Sequence, residues 1–302
     1  MSLRSSVLRI AAQEDINFLL TNRIPRLALT RFMGWFSKLE NPLVSRTSIA
    51  LWRFFCDVDL TDSRQARFES LHAAFIRPLR PGARSVDPDP SVLASPSDAI
   101  VGAYGRVRGG GALQIKGFPY SIADLVGDAS EAAEFEGGWY VTLRLTAGMY
   151  HRFHAPHDLE VSQVRYISGD TWNVNPIALK RIERLFCKNE RAPIAARLAG
   201  GEKIMLVPVA AVLVASIRLP FLDPANNVRI AGPGVHPCHA SFSKGEEMGW
   251  FEHGSTIVVL APPSWEPAAT LEEGQPIRMG QALMRFSAAP SCSPRSSRSR
   301  TC

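Results

Sequence analysis

The sequence predicts an α+β protein that is predominantly β, with an antiparallel β sandwich or partly open barrel as its core and amphipathic helices at the N-terminus. Up to residue 60, apolar and aromatic residues recur with helical spacing. After residue 60, short apolar runs are separated by glycines and prolines at intervals of about ten residues, which is typical of all-β cores. We therefore divide the chain into a helical segment over residues 1–60, a β-rich domain over 61–286 and a disordered tail over 287–302.

The N-terminal segment contains a helix with one apolar face. In RIPRLALTRFMGWFSKLENP, apolar side chains occupy positions i, i+3, i+4 and i+7, namely Leu29, Phe32, Met33 and Phe36. Basic residues lie close by, and the stretch SRTSIALWRFF repeats this mixture of aromatic residues and arginine. Two interpretations stay open: a helical hairpin packed on its own domain, or an interfacial helix with its cations at lipid headgroups.

Three kinds of pattern predict the β-rich domain. GGWYVTLRL alternates apolar with other residues, which indicates a half-buried strand, with Trp139, Val141, Leu143 and Leu145 on its apolar face. IMLVPVAAVLVASI and STIVVLAP are continuous apolar runs and predict fully buried strands. GQPIRMGQALMRF predicts short strands joined by tight turns. The tail SAAPSCSPRSSRSRTC has the Ser/Arg-rich composition of a disordered segment.

Composition restricts the class of partner. The 302-residue chain has a net charge of +6, so an anionic partner is expected, either nucleic acid or an acidic lipid surface. The positive charge is scattered and no nucleic-acid-binding motif is present, which disfavours nucleic acid.

The cysteines and the apolar runs indicate in which cellular compartment the protein is expected. The five cysteines form no C-x-x-C pair, which argues against a zinc site or a disulfide framework and fits a reducing compartment. The longest uncharged apolar run, residues 204–217, is shorter than the ~20 residues that a membrane span needs. No secretory signal is evident in the first residues.

Three histidines in MYHRFHAPHD are the first candidates for chemistry. His151, His154 and His157 are spaced by three residues, as metal ligands can be. No cluster of Cys, Asp or Glu completes such a site, so we expect no metal. An acid/base pair in a pocket fits two of these histidines better. Asp98, in ASPSDAIVGAYG, reads as a turn or cap residue unless it orients one of them.

The stretch WFEHGSTIVV places Gly254 and Ser255 at the start of a buried strand. Glycine leaves its carbonyl carbon unhindered, so a base that removes the Ser255 proton lets the oxygen attack it and shifts the acyl group from nitrogen to oxygen. Elimination from that ester leaves dehydroalanine, which hydrolyses to a pyruvoyl group and ammonia. A pyruvoyl carbonyl condenses with an amine and accepts the electrons that departing carbon dioxide leaves behind. The tripeptide Gly-Ser-Thr alone is common and identifies nothing.

Several motifs, taken in order, resemble the phosphatidylserine decarboxylase family across about residues 24–286. The stretches that carry the resemblance are FIRPLRPGARSVDPDPSVLASPSDA, IKGFPYSI, YHRFHAP, GDTWNVNP, FCKNERA and KGEEMGWFEHGSTIVVL. The resemblance implies a self-processing proenzyme that converts phosphatidylserine to phosphatidylethanolamine. Its covalent cofactor would be a pyruvoyl group formed from Ser255.

Roles carry over from the family position by position. Cleavage between Gly254 and Ser255 would give chains 1–254 and 255–302, which would stay intertwined. His154 resembles the base that activates the serine, with Asp98 orienting it, and His151 resembles the histidine that assists decarboxylation. The resemblance gives no role to His157, so we expect it to be structural.

The resemblance also bears on partners and location. It favours the interfacial interpretation of the N-terminal helices, docked on an anionic membrane surface. We expect a peripheral protein on the cytoplasmic face of the bacterial inner membrane, with the mitochondrial inner membrane as the alternative. A homodimer is implied by the resemblance alone.

Two departures from the family pattern lie near the expected site. His253 occupies the position before the glycine where leucine is common, and Ala99 follows the aspartate where glycine is usual. A methyl group at Ala99 could close a turn that needs positive φ. Neither departure removes an expected catalytic side chain.

Two alternatives remain beside the leading interpretation. One is a pyruvoyl-dependent decarboxylase of a free amino acid, and the other is a non-catalytic lipid-binding homologue in which Ser255 stays uncut. Deletion of residues 1–40 should cripple action on vesicles but spare a soluble substrate.

Overall fold

Helices form the N-terminal part of the computed structural model, which describes residues 13–19, 25–115, 118–211, 217–222, 228–252 and 255–287. Within these ranges the first elements are α1 (Glu14–Phe18), α2 (Arg26–Phe36) and α3 (Pro42–Phe55). At the start of α3, the Asn41 side chain accepts hydrogen bonds from the amides of Leu43 and Val44. The predicted N-terminal helices are confirmed, whereas the tail beyond Ser287 lies outside the described residues.

Short helices connect the later strands: α4 (Leu71–Phe75), α5 (Ile122–Val126), α6 (Ala129–Ala133), α7 (Pro176–Leu179), α8 (Leu185–Lys188) and α9 (Val228–Ala231). The hydroxyl of Ser70 caps α4 by accepting a hydrogen bond from the Ala73 amide. The His72 amide donates to the Ser37 carbonyl at 2.8 Å, just beyond α2. Since Phe75 is buried in the core, α4 joins the N-terminal helices to the sheets.

An eight-stranded sheet forms the centre of the fold. Its strands, numbered in chain order, are β2 (Ala99–Arg106), β5 (Trp139–Leu145), β7 (Leu159–Tyr166), β8 (Ile194–Leu198), β9 (Lys203–Ala210), β11 (Gly234–Phe242), β13 (Ser255–Ala261) and β15 (Pro276–Ile277). They lie in the order β11-β7-β8-β9-β13-β5-β2-β15, and every neighbouring pair is antiparallel.

Smaller antiparallel sheets flank this one. They are β1-β16-β14, β10-β12-β6 and β3-β4, built from β1 (Val92–Ala94), β3 (Gly111–Ile115), β4 (Phe118–Ser121), β6 (Arg152–His154), β10 (Ile217–Arg218), β12 (Glu247–Phe251), β14 (Trp265–Pro267) and β16 (Ala282–Phe286). Over the described residues, the large sheet ends at β11 and β15 and does not close into a barrel. The predicted α+β class with a mainly antiparallel β core is confirmed.

The burial of β13 and β5 shows how deep the centre of the large sheet lies. All seven residues of β13 are buried between β5 and β9, as the continuous apolar run predicts. The prediction that β5 is a half-buried strand is wrong, because Tyr140 and Thr142 are buried as well. Both faces of β5 are covered, so alternation in its sequence does not mark a solvent face.

The small sheet that contains β6 and β12 packs closely at a glycine. Gly249 pairs with Phe153, and a Cβ atom placed on Gly249 would lie 2.2 Å from the Arg218 carbonyl oxygen. Only glycine allows this approach without moving backbone. The close approach holds β12, the strand that leads toward Ser255, against β10, while β6 pairs with the other edge of β12.

Candidate active site

Ser255 is the first residue of β13 and is fully buried. In the sheet register it lies between Leu145 on β5 and Ala210 on β9. Its hydroxyl has no hydrogen-bond partner among the described residues. A buried hydroxyl without a partner costs about 1–3 kcal/mol, so the position calls for a functional reason. Gly254 and His253 lie outside the described residues.

A cavity of about 440 Å³ opens beside Ser255. Residues from the helical segment and from α4 form its apolar side, and strand ends and a loop form the other side. The lining residues are Met33, Trp52, Cys56, Leu71, Phe75, Arg144, Leu145, Thr146, Ala147, Asn173, Val174, Asn175, Ala211 and Ser255. An apolar wall facing a wall with polar groups suits an amphiphilic ligand.

His154, at the end of β6, is buried with both ring nitrogens engaged. Nδ1 lies 2.9 Å from the Gly245 carbonyl oxygen, which can only accept, so Nδ1 carries the proton. Nε2 therefore accepts a hydrogen bond from the Tyr150 hydroxyl at 2.9 Å. Burial lowers the pKa of His154, and the Gly245 carbonyl and the charge of Glu247 oppose this only partly. The imidazole is thus a neutral base at neutral pH.

His151 is the residue immediately before β6. Its backbone is hydrogen-bonded to β12, the strand that precedes Ser255. Its carbonyl accepts a hydrogen bond from the Phe251 amide at 2.9 Å. Nδ1 contacts the Met149 carbonyl oxygen at 2.8 Å, and the ring lies 4.0 Å from the ring of Phe75. Because Phe75 also lines the cavity beside Ser255, His151 packs directly behind the cavity wall.

Asp98 precedes β2 and is bound mainly by Arg84. The Arg84 guanidinium donates at 2.6 and 2.9 Å to the two carboxylate oxygens, and the Met279 amide donates to Oδ1 at 2.9 Å. No described hydrogen bond joins Asp98 to His154, but its charge acts to raise the pKa of His154. The expectation that Asp98 orients the imidazole therefore stays a prediction.

The two sequence departures have different outcomes. Ala99 begins β2, and Arg184 is the one residue other than glycine with positive φ among the described residues. The methyl group of Ala99 therefore closes no turn, and that concern is removed. His253 lies outside the described residues.

His157 is separate from the other two histidines in its contacts. Its Nε2 lies 2.9 Å from the Pro90 carbonyl oxygen, and its ring packs edge-on against Trp265. These contacts are those of a structural residue. Within the part of the chain that the structure describes, no group of three or more His, Cys, Asp or Glu side chains is arranged to hold a metal ion.

Comparison with known proteins decides the family. Residues 71–285 match the family model described as phosphatidylserine decarboxylase. The chain belongs to this family. A phosphatidylserine decarboxylase proenzyme of Brevibacillus brevis is 31% identical over 271 residues, which cover 87% of this chain and 95% of the relative. Proenzymes of the same name from Aliivibrio fischeri and an Anaeromyxobacter species are 34% and 35% identical, over 85% and 86% of this chain and 93% and 94% of the relatives.

Membership in the phosphatidylserine decarboxylase family confirms the predicted resemblance and the prediction of an enzyme, a carboxy-lyase. Asp98, His151, His154 and Ser255 all lie within the residues that match the family model. The whole N-terminal helical segment, residues 1–60, precedes those residues.

Sequence reasoning missed two features of this phosphatidylserine decarboxylase site. Arg84 binds Asp98, although it lies inside a motif that carries the resemblance. The alternation in GGWYVTLRL places Arg144 on a strand face and does not indicate that it lines the cavity. An arginine within an otherwise apolar strand could have indicated a binding site, because a charged side chain there needs a partner.

Proposed function

We propose that the chain is a proenzyme that cleaves itself between Gly254 and Ser255 and then decarboxylates phosphatidylserine to phosphatidylethanolamine. The observation that carries the proposal is the buried Ser255 hydroxyl, which has no described hydrogen-bond partner and lies in the wall of an apolar cavity. The names of the relatives, which contain both the lipid and the word proenzyme, support it.

Self-cleavage needs a neutral base, and the properties of His154 support that role. The hydrogen bond from Tyr150 to Nε2 must break before Nε2 accepts the Ser255 proton. The serine oxygen then bonds to the Gly254 carbonyl carbon, the carbon–nitrogen bond breaks, and the proton passes to the nitrogen. The negative charge of Asp98 favours the imidazolium that forms in between.

The ester then eliminates. Loss of the α-proton of residue 255 breaks the bond between Cβ and the ester oxygen, which leaves a carboxylate on Gly254. One water replaces the nitrogen, which departs as ammonia. The residues around Ser255 fit the resulting pyruvoyl group, because the hydroxyl position is buried, lies at a strand start and borders the cavity.

The pyruvoyl group supplies an electron sink for an amine substrate that loses carbon dioxide. The chain's own residues supply the surroundings. The apolar cavity wall excludes water, and His151, packed on Phe75 behind that wall, is the residue to hold the proton that returns to carbon. An apolar cavity also favours a lipid over a free amino acid.

The helices α2 and α3 form the proposed membrane-docking surface. Large apolar side chains are exposed on them: Phe32, Trp35, Leu43, Leu51, Phe54 and Phe55. Basic side chains such as Arg46 and Arg53 are exposed on α3 beside them. This combination suits an anionic membrane surface, here the cytoplasmic face of the bacterial inner membrane. No described helix is both long and apolar enough to span a bilayer.

The proposed assembly has two chains per protomer and two protomers. Chains 1–254 and 255–302 would remain joined because β13 hydrogen-bonds to β5 and β9 on both sides. The homodimer rests on the family resemblance.

The intact mass of the purified protein tests the proposal, with Ser255→Ala as control. We expect wild type to give two chains split after residue 254, the smaller lighter by one ammonia than a peptide that starts with serine. The Ser255→Ala chain should stay whole. A single uncut wild-type mass, unchanged after incubation with membranes, would overturn the proposal.

A vesicle assay tests the substrate and the docking surface together. We expect wild type to release carbon dioxide from phosphatidylserine in vesicles and not from free serine. Deletion of residues 1–40 should lower the rate on vesicles much more than the rate on a short-chain soluble phosphatidylserine. Equal losses on both would argue against docking, and activity on free serine would favour the amino-acid decarboxylase.

A further inference from the structure

Arg144 is a half-buried cation that lines the cavity beside Ser255 and has no partner among the described residues. It lies on β5 directly opposite Thr256, the residue after Ser255, and its side chain is only partly exposed. Its guanidinium makes no hydrogen bond and no ion pair with any described residue. Burial lowers the pKa of Arg144, and no neighbouring charge counters this shift.

Every other buried or half-buried arginine among the described residues has at least one hydrogen-bond partner. Carboxylates or backbone carbonyls bind each of them: Arg77, Arg84, Arg106, Arg152, Arg165, Arg191 and Arg218. A guanidinium has five N–H donors and stays charged, so an unpaired one on a cavity wall is suited to bind an anion. The exception at Arg144 therefore points to an anionic ligand.

The cavity indicates which kind of anion. Met33, Trp52 and Phe75 form an apolar side, and Arg144 lies on the wall that contains Ser255. A ligand that satisfies both sides is an amphiphile with an anionic headgroup. A free inorganic anion would leave the apolar side uncovered.

A phosphatidylserine headgroup has two anionic groups that could bind Arg144, the carboxylate and the phosphodiester. They differ in whether they keep their charge during the reaction. The carboxylate loses its charge when carbon dioxide departs, so an ion pair with it would stabilise the substrate more than the transition state. The phosphodiester keeps its charge throughout the reaction. Its oxygens also match the planar, two-pronged geometry of a guanidinium.

We infer that Arg144 is a substrate-binding residue that holds the phosphodiester of the phospholipid headgroup, an assignment that rests on the proposed function. Binding of this kind is equal in the ground state and the transition state. Its loss therefore raises KM and leaves kcat nearly unchanged.

Binding to an uncut protein tests the assignment without catalysis. In the full-length Ser255→Ala chain, short-chain phosphatidylethanolamine below its micelle concentration is titrated calorimetrically, with and without Arg144→Gln. This probe has the phosphodiester but no carboxylate. We expect Arg144→Gln to weaken its binding about 10- to 100-fold, as the loss of a charge-assisted hydrogen bond does, and Arg144→Lys to restore part of it. Unchanged affinity would overturn the assignment.

Two controls sharpen this measurement. Arg197, on β8, is exposed and donates to the Gly201 carbonyl, so Arg197→Gln removes the same charge away from the cavity and should leave affinity unchanged. Inorganic phosphate should bind more weakly than the short-chain lipid. Equal or tighter binding of phosphate through Arg144 would mean a simple anion site and overturn the lipid assignment.

Kinetics of the processed enzyme separate this inference from the proposed function. If wild type fails to split, the proposed function fails. If wild type splits and decarboxylates but Arg144→Gln lowers kcat and leaves KM unchanged, the phosphodiester assignment alone fails. A rise in KM with kcat nearly unchanged supports it.

Discussion

The ring of His154 is held so that its lone pair lies on Nε2, and burial keeps that lone pair free of a proton. Since burial lowers the pKa of His154, the neutral base survives at lower pH than free imidazole, whose pKa is about 6.5. Below its pKa the imidazole is protonated and accepts no proton from Ser255. We expect the self-cleavage rate to be flat through neutral pH and to fall only below about pH 6.5. Cell-free synthesis followed by a chase at each pH measures it, and a midpoint above that value would contradict the assignment.

Substitution of the two buried histidines should separate cleavage from decarboxylation. We expect His154→Ala to block the appearance of two chains, because no base then activates Ser255. We expect His151→Ala to split normally but to lose decarboxylation by about 100-fold or more, the range of one general acid or base. Gel analysis and carbon dioxide release are the two readouts. His157→Gln is the matched control, and it should split and decarboxylate like wild type.

At the scale of single residues, the sequence leads to the side chains proposed to react but not to all of the groups that hold them. Ser255 and His154 are found because they lie within short motifs. Arg84 and Asp98 lie 14 positions apart and meet only after the intervening loop folds back. The hydrogen bond from Tyr150 to His154 depends on the tautomer of His154, which is set by the Gly245 carbonyl in the turn between β11 and β12.

Among the elements, the packing of β12 against β10 and β6 depends on Gly249. A Cβ there would meet the Arg218 carbonyl oxygen at 2.2 Å and the Phe153 ring at 2.9 Å. We expect Gly249→Ala to destabilise the Ser255→Ala chain by about 1–3 kcal/mol, as overpacking does, measured by chemical unfolding. Gly34 on α2 has nothing within 4 Å of its virtual Cβ. Gly34→Ala should therefore stabilise the chain by up to about 1 kcal/mol. Equal effects of the two would refute this packing argument.

Glu252 ties the end of β12 to three other elements. Its Oε1 lies 2.9 Å from Arg218 on β10, 3.4 Å from His72 on α4 and 3.9 Å from Lys38 after α2. Burial acts to raise its pKa, but the His72 side chain and the nearby Arg218 and Lys38 lower it to about 2.

Because the folded pKa of Glu252 lies below the unfolded one, its stabilisation is complete above about pH 4.5 and is lost as pH falls toward about 2. We expect Glu252→Gln, in the Ser255→Ala chain, to cost at most about 3 kcal/mol at neutral pH. That difference should shrink through this window, as urea unfolding at each pH measures. A difference that does not depend on pH would show that the charge of Glu252 contributes nothing.

Strand prediction failed at β5 for a physical reason. Its sequence alternates, but tertiary packing covers the second face as well, so Tyr140 and Thr142 are buried. Strand β13 was predicted correctly because its apolar run matches its burial. The N-terminal helices were predicted correctly from their helical spacing, although large apolar side chains on them are exposed.

For the whole molecule, the position of β13 predicts how the processed protein behaves. The strand hydrogen-bonds along its length to β5 on one side and β9 on the other, while β16 pairs with β1. We expect the two chains to coelute in gel filtration under native conditions and to separate only in denaturant. Mass spectrometry of the native peak checks this, and release of the small chain without denaturant would contradict the central placement of β13.

Over the whole chain, the order of motifs was enough to predict the family, because several weak signals in one order reinforce each other. The arrangement of four sheets was not predictable in the same way. The pairing of β1 with β16, for example, joins segments separated by most of the domain, and no local pattern encodes that contact.

The central place of β13 also fixes the order of events that the proposed cleavage requires. The sheet must assemble while the chain is continuous, because after the proposed cleavage the middle strand would belong to a separate short polypeptide. Folding of the precursor is unimolecular, whereas reassembly of the processed pieces would be bimolecular and would require insertion between two formed neighbours. Heating or denaturing the mature protein is therefore a one-way event. Its working lifetime is set by the rate of unfolding and not by an equilibrium.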